Sequence, residues 1–164
     1  GGPTCVVSNE LSSHPVESYL WGEDLRDFFR LSDWRHHLVG NMHVDTLAET
    51  HDQVCEQNGV PEDQFRAVDL LIFIGVDGAE PGAGRIKDTT LQRFVAEIVR
   101  SDGSADHKQV YTRDGGFTDQ APRDPDFEAR CCDFLQSAIN DGLEDIRQVR
   151  ERFLSWEHHP QAGG

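Results

Sequence analysis

Between residues 125 and 156 the apolar side chains return every seven residues. Cys132, Ile139, Ile146 and Phe153 form one set, and Leu135, Gly142, Val149 and Trp156 follow them three residues later. Two apolar positions per heptad are the seam of a helix packed against a neighbour. Asp124-Pro125 supplies a capping carboxylate and a Pro at the first helical position. The spacing therefore predicts one long C-terminal helix to about Trp156. Such a helix would be about 48 Å long, against a radius of gyration of about 15 Å for a compact domain of this size. Phe127, Cys131, Phe134, Ala138 and Leu143 widen the stripe in its first half, which suits burial. From Ile146 on the stripe is narrow, so Ile146, Val149, Phe153 and Trp156 are candidate contacts for a protein partner or a second copy of the chain. The alternative is that the N-terminal segment folds back over them.

The remaining segments also read mainly as helix. Residues 3–8 suit a short strand or an ordered arm. His14-Pro15 opens a helix with Trp21, Leu25, Phe28 and Phe29 on one face, weakened at Gly22, and Ser32-Asp33 caps a further segment from Trp34. Asn41 to Gln57 is expected to be helical and to end at Asn58-Gly59. Val60-Pro61-Glu62-Asp63 starts a third element, and its run Leu70-Leu71-Ile72-Phe73-Ile74 suits a buried helix or a buried strand equally. Thr89 and Gln92 fit a capping box for a fourth helix with Leu91, Phe94, Val95, Ile98 and Val99 on its face. Gln109 to Thr112 and Phe117-Thr118 flank a turn at Arg113-Asp114-Gly115-Gly116, a hairpin signal. The expected fold is mainly α: a single-domain helical bundle of about five helices with a small β-hairpin. Residues 1–13 would form an N-terminal arm, 14–156 the helical domain and 157–164 a flexible tail.

Charge narrows the partners. The chain carries 30 acidic and 15 basic residues, a net charge of -15, and its only lysines are Lys87 and Lys108. Nucleic acids and anionic membranes need a basic patch. The longest basic clusters are Arg35-His36-His37 and Arg147 to Arg152, the latter interrupted by Glu151, so no nucleic-acid partner is expected. No run of about 18 apolar residues is present, so no membrane span is expected. High charge with 37% hydrophobic residues also suits disorder, but the helical spacing of the apolar residues favours a folded domain with an acidic surface. An Asp-rich, Lys-poor composition fits a salt-adapted source, and a high-GC genome would produce the same bias. Cys5, Cys55 and Cys131-Cys132 lack CxxC spacing, so packed thiols in a reducing, intracellular compartment are expected. No signal peptide is visible, and a start at Gly1-Gly2-Pro3 is expected of a processed product.

Four of the eight histidines lie between His36 and His51. On a helix over 41–57, Val44, Leu47, His51, Val54 and Cys55 share one face, with His43 at its edge. Asp45, Glu49, Asp52 and Glu56 fall on the opposite face. One reading is a divalent-metal site, with His43 and His51 facing inward and His36 or His37 as third ligand, because neutral imidazole suits transition metals. The other is that His51 is a hydrogen-bonded core histidine and the rest are surface residues.

This stretch resembles the HD superfamily of metal-dependent phosphohydrolases. Arg35-His36-His37 and Asn41-Met42-His43-Val44 precede Ala67-Val68-Asp69-Leu70-Leu71-Ile72-Phe73, over about 40 residues. In that family an early histidine is followed by an apolar helix ending in a metal-binding His-Asp pair. The matching place here reads Ile74-Gly75-Val76, with Asp77 the nearest carboxylate. The resemblance implies a helical fold, and a metal held by the histidines and Asp77.

Residues 70–87 are similar in outline to a strand, phosphate-binding loop and helix. Gly82, Gly84, Arg85 and Lys87 are the candidate phosphate contacts. Ala79 stands where the first loop Gly belongs, Arg85 where the Lys belongs and Ile86 where the magnesium-binding hydroxyl belongs. The bland reading is a surface loop punctuated by Gly and Pro.

The expected role is a non-enzymatic acidic accessory protein that docks a partner through its C-terminal helix, with a divalent metal the one cofactor that the sequence suggests. The alternatives are a metal-dependent hydrolase using His43, His51, Asp77 and either His36 or His37, and a nucleotide-binding protein with a degenerate loop. An excess of 15 negative charges repels itself, and screening acts beyond about 10 Å at 0.1 M salt. The melting temperature should rise from low to moderate salt. A flat or falling midpoint in thermal melts would contradict this.

Overall fold

The computed structural model describes residues 2–78 and 91–158. The chain divides into two units, Gly1–Ala121 and Pro122–Gly164. In the first, strand β1 (Cys5–Val7) pairs in parallel with β2 (His37–Val39). Parallel strands need a crossover. Helix α1 (Gly22–Arg30) and the 3-10 turn Leu31–Trp34 lie in it. Helix α2 (Leu47–His51) runs into a π-helical turn, Asp52–Gln57, and α3 (Glu62–Arg66) follows. Strands β3 (Leu70–Val76), β4 (Arg93–Arg100), β5 (Lys108–Thr112) and β6 (Gly116–Phe117) form an antiparallel sheet in that order. The second unit holds α4 (Pro125–Asn140) and α5 (Ile146–His158).

The architecture is therefore mixed α and β, and the expected helical bundle is incorrect. Leu70–Val76 is a strand. The largest departure is β4, where a fourth helix was expected. Phe94, Val95, Ile98 and Val99 have helix-like spacing, yet β4 pairs with β3 on one side and β5 on the other. A bulge reconciles the two. Phe73 pairs with Glu97 but Ile74 pairs with Val95, so Ala96 is an extra residue in β4. The extra residue shifts the phase of the alternation, so Val95 and Ile98 share a face although three apart. The hairpin expected around residues 113–116 is present as β5 and β6.

The long C-terminal helix is also corrected, into a helical hairpin. Gly142 occupies a seam position of the heptad pattern but adopts φ 66°. Gly142 N–H donates to the Ile139 carbonyl at 2.9 Å and Leu143 N–H to that of Ala138 at 3.0 Å, the paired bonds of a Schellman helix end. Asp145 then caps α5, its carboxylate accepting from Arg147 N–H at 2.7 Å. The chain reverses, so Phe134 meets Phe153 and Trp156 at ring-centroid distances of 5.8 and 5.2 Å, and Phe127 meets Trp156 at 6.3 Å.

The helix expected from His14 begins only at Gly22, and the one expected from Asn41 only at Leu47. Thr46 is the reason for the second start. Its hydroxyl accepts from Glu49 N–H at 3.2 Å, while the Glu49 carboxylate accepts from Asp45 N–H at 2.9 Å, a variant of the capping box. Leu11, Leu25, Phe28, Phe29, Val54, Cys55, Val60 and Phe65 form the core of the first unit, with Val68 and Leu71 against it. Asn58 is buried in this region at 3% exposure. Its amide donates to the Ser12 carbonyl at 2.9 Å and the Gln53 carbonyl at 2.7 Å, and accepts from Gly22 N–H at 2.6 Å. An unpaired buried polar group costs about 1–3 kcal/mol. Asn58→Ala should therefore lower stability by about 2–4 kcal/mol in denaturant titration, and a loss under about 0.5 kcal/mol would show that these bonds are dispensable.

Candidate metal centre

His51 is the last residue of α2, Cys55 lies one turn further in the π-helical segment, and Glu62 is the first residue of α3. Local chain chemistry brings them together. At the end of the π turn, Gly59 takes φ 72°. Its N–H donates to the Cys55 carbonyl at 2.9 Å, and Val60 N–H donates to that of Val54 at 3.2 Å. These are the bonds of a glycine helix end, each spanning one residue more because the winding is wider. Pro61 then starts α3, and Glu62 returns to His51.

His51 Nε2 donates to Glu62 Oε1 at 2.6 Å. The donor atoms of His51, Cys55 and Glu62 all lie within 4.8 Å of one another, the one such group of three among the described residues. The His51 ring stands edge-on to Phe65 at 5.3 Å, and Phe65 contacts His107 at 5.1 Å. His107 Nε2 donates to the Val68 carbonyl at 2.8 Å, so its Nδ1 is the acceptor when the ring is neutral. His51 and Glu62 line an open cleft of about 580 Å³, with Leu47, Phe65, Arg66 and His107 in its wall. Cys55 is buried. Burial pushes its thiol up to about 11, and the charges of Glu62 and Glu56 push in the same direction.

The face assignment on α2 is recovered in part. Asp45, Glu49, Asp52 and Glu56 are exposed, Val54 and Cys55 are buried, and the His51 side chain is 35% exposed. The other histidines expected as ligands go elsewhere. His43 Nε2 lies 3.5 Å from Glu10 Oε1, and the Glu10 carboxylate also accepts from Asn41 at 3.0 Å. His36 Nδ1 accepts from Thr4 N–H at 3.2 Å and meets its hydroxyl at 2.9 Å. His37 is exposed on β2. Asp77 binds both terminal nitrogens of Arg113 at 2.6 and 3.1 Å. That guanidinium holds the Asp77 carboxyl below its ordinary range.

Of the expected ligands, then, only His51 belongs to the group that converges. Cys55 and Glu62 were not singled out in the sequence. Cys55 follows His51 by four residues, a spacing that puts both side chains on one helical face. No spacing rule links Glu62 to them, because the Gly59–Pro61 reversal creates that contact. Gly82, Gly84, Arg85 and Lys87 lie outside the described residues. On the hairpin, Ile146 and Phe153 are exposed, and Val149 and Trp156 half-buried. Among the described residues no helix is long and apolar enough to cross a membrane. No protein-family model matches the chain, and no curated protein matches its sequence.

The donor set is one thiol, one imidazole and one carboxylate. Sulfur and nitrogen donors suit zinc and its neighbours rather than magnesium or calcium. Tetrahedral zinc bonds of about 2.0–2.3 Å place ligand atoms about 3.3–3.8 Å apart, so small side-chain rotations bring this trio into range.

Proposed function

We propose that this chain is a metal-binding protein that holds a zinc-like divalent ion through His51 Nε2, Cys55 Sγ and a Glu62 oxygen. The observation that carries this reading is the convergence of the three donor atoms, with His51 and Glu62 on the wall of a cleft and Cys55 buried behind them. Three protein ligands leave the fourth tetrahedral position for water or a small ligand, the arrangement of reactive rather than purely structural zinc. The hydrolase implied by the histidine-rich stretch would then use this ligand set. The His51–Glu62 hydrogen bond holds two ligands together, and the ion would take the place of its proton, which moves to His51 Nδ1 as the ring changes tautomer.

Cobalt titration followed by the thiolate-to-cobalt absorption band tests this. One equivalent should bind. Cys55→Ser should remove the band, and His51→Ala should weaken binding at least about 10–100-fold, the range that outer-shell changes alone already reach. The metal needs the thiolate, whereas Cys55 keeps its proton up to about 11. Binding therefore releases that proton, and affinity should rise about tenfold per pH unit above neutrality until the free thiol ionises. A pH-independent affinity, or a band that survives Cys55→Ser, would overturn the assignment.

One observation favours a second reading, docking of a protein partner by the α4–α5 hairpin. Leu135, Ile139 and Ile146 are 56%, 69% and 78% exposed. Replacing Ile139 and Ile146 with Ser should leave the hairpin folded, because its ring cluster is untouched, and should abolish any oligomer seen by light scattering. An oligomer unchanged by this pair of substitutions would remove support for docking through the hairpin.

A further inference from the structure

The four-stranded sheet has one covered face and one open face. Leu71 packs against the core, and Phe73 and Val99 are buried on the same side. On the other side Leu70, Ile72 and Ile74 are 47%, 50% and 58% exposed. The cross-strand register extends this face, because Ile72 stands opposite Ile98, and Ile98 opposite Tyr111. Directly paired residues on antiparallel strands share a face. Three such aliphatic residues in one strand form a patch of the kind that proteins cover.

Charge on this face departs from the rest of the chain. Leu70 stands opposite Arg100, which stands opposite Lys108, and Val76 stands opposite Arg93. The face thus carries basic side chains at both ends. The one acidic residue of these strands, Glu97, is opposite Phe73 on the covered side. Among the described residues, strands that present basic side chains at both ends of a face and no acid on it stand out in a chain with 30 acidic residues and 15 basic ones, with Asp102, beyond β4, in electrostatic reach of Arg100.

We infer that this face docks an amphipathic helix of a partner protein, with an apolar stripe at its middle and acidic residues near both ends. A helix laid on a sheet is the ordinary way to cover an apolar sheet face. Seven strand residues span about 23 Å, the length of about 15 helical residues. Acids near the ends of such a helix meet Arg93 at one end and Arg100 with Lys108 at the other. A second copy stacked symmetrically would set these basic residues against each other. Single-stranded nucleic acid stacks on aromatic rings; the rings of this face, Tyr111 and Phe117, lie together on β5 and β6, whereas its centre across β3 and β4 is aliphatic.

Three fluorescent probes on the full chain test this: a 15-residue helical peptide with a Leu stripe and Glu near both ends, the same peptide with Lys in place of Glu, and an oligouridylate. The Glu peptide should bind at least about tenfold more tightly than the Lys peptide, and its affinity should fall with salt. The double variant R100E/K108E changes exposed side chains only. It should invert the preference while circular dichroism stays unchanged. Ile72→Ser should weaken the Glu peptide without moving the preference. Equal affinities, no binding of the Glu peptide, or tighter binding of the oligouridylate would overturn the inference. So would a dimer in light scattering that Ile72→Ser dissolves, because a second copy would then cover the face.

Discussion

The side chain of Asn58 fixes how the first unit is put together. Its amide has two donor hydrogens and one acceptor oxygen, and bonds to the segments before α1, at the start of α1 and inside the π turn use all of them. The Asn58 backbone carbonyl accepts from Arg26 as well, at 2.6 Å. In a buried setting these bonds are strong because no water competes for them, and each is costly to leave unmade. The amide therefore sets where α1 begins and where the π turn stops. The stop matters most, since Gly59 and Pro61 follow at once and direct Glu62 back toward His51.

The electrostatics of the trio follow from that geometry. A buried thiol between two glutamates keeps its proton, because ionising it would add a third negative charge where water is scarce. A bound dication would outweigh that penalty, because its attraction for the thiolate exceeds the repulsion from the carboxylates. The carboxylates that oppose the thiolate in the metal-free protein would then help to neutralise the ion. The surface works in the same direction over a longer range, since a net charge of -15 raises the local concentration of cations around the molecule.

What the sequence disclosed was local, and what it concealed depended on one residue at a time. The acidic outer face of α2 and the turn at residues 113–116 were legible, because side-chain period and turn chemistry act over a few residues. The strand β4 was concealed by Ala96. One extra residue there turned an alternating pattern into a helix-like one. Gly142 concealed the hairpin, since glycine can sit in a heptad seam or end a helix, and only its positive φ separates the two. His51 was picked out as a possible ligand from its place in an apolar stripe. Its partner Glu62 was not, since no rule of spacing reaches across a reversal that depends on Gly59 and Pro61.

The bulges in the sheet have a consequence for how the chain survives in concentrated solution. Strand β3 is seven residues without a charge, and it ends the sheet among the described strands. A flat strand of that kind is a template for fibril growth, in which identical copies stack in register every 4.7–4.8 Å or so. In-register stacking requires neighbouring copies to share one untwisted shape. The shifts at Phe73/Ile74 and at Ile98/Val99 coil the sheet more tightly than regular pairing would. The same irregularity that disguised β4 as a helix thus makes the exposed edge a poor seed for amyloid.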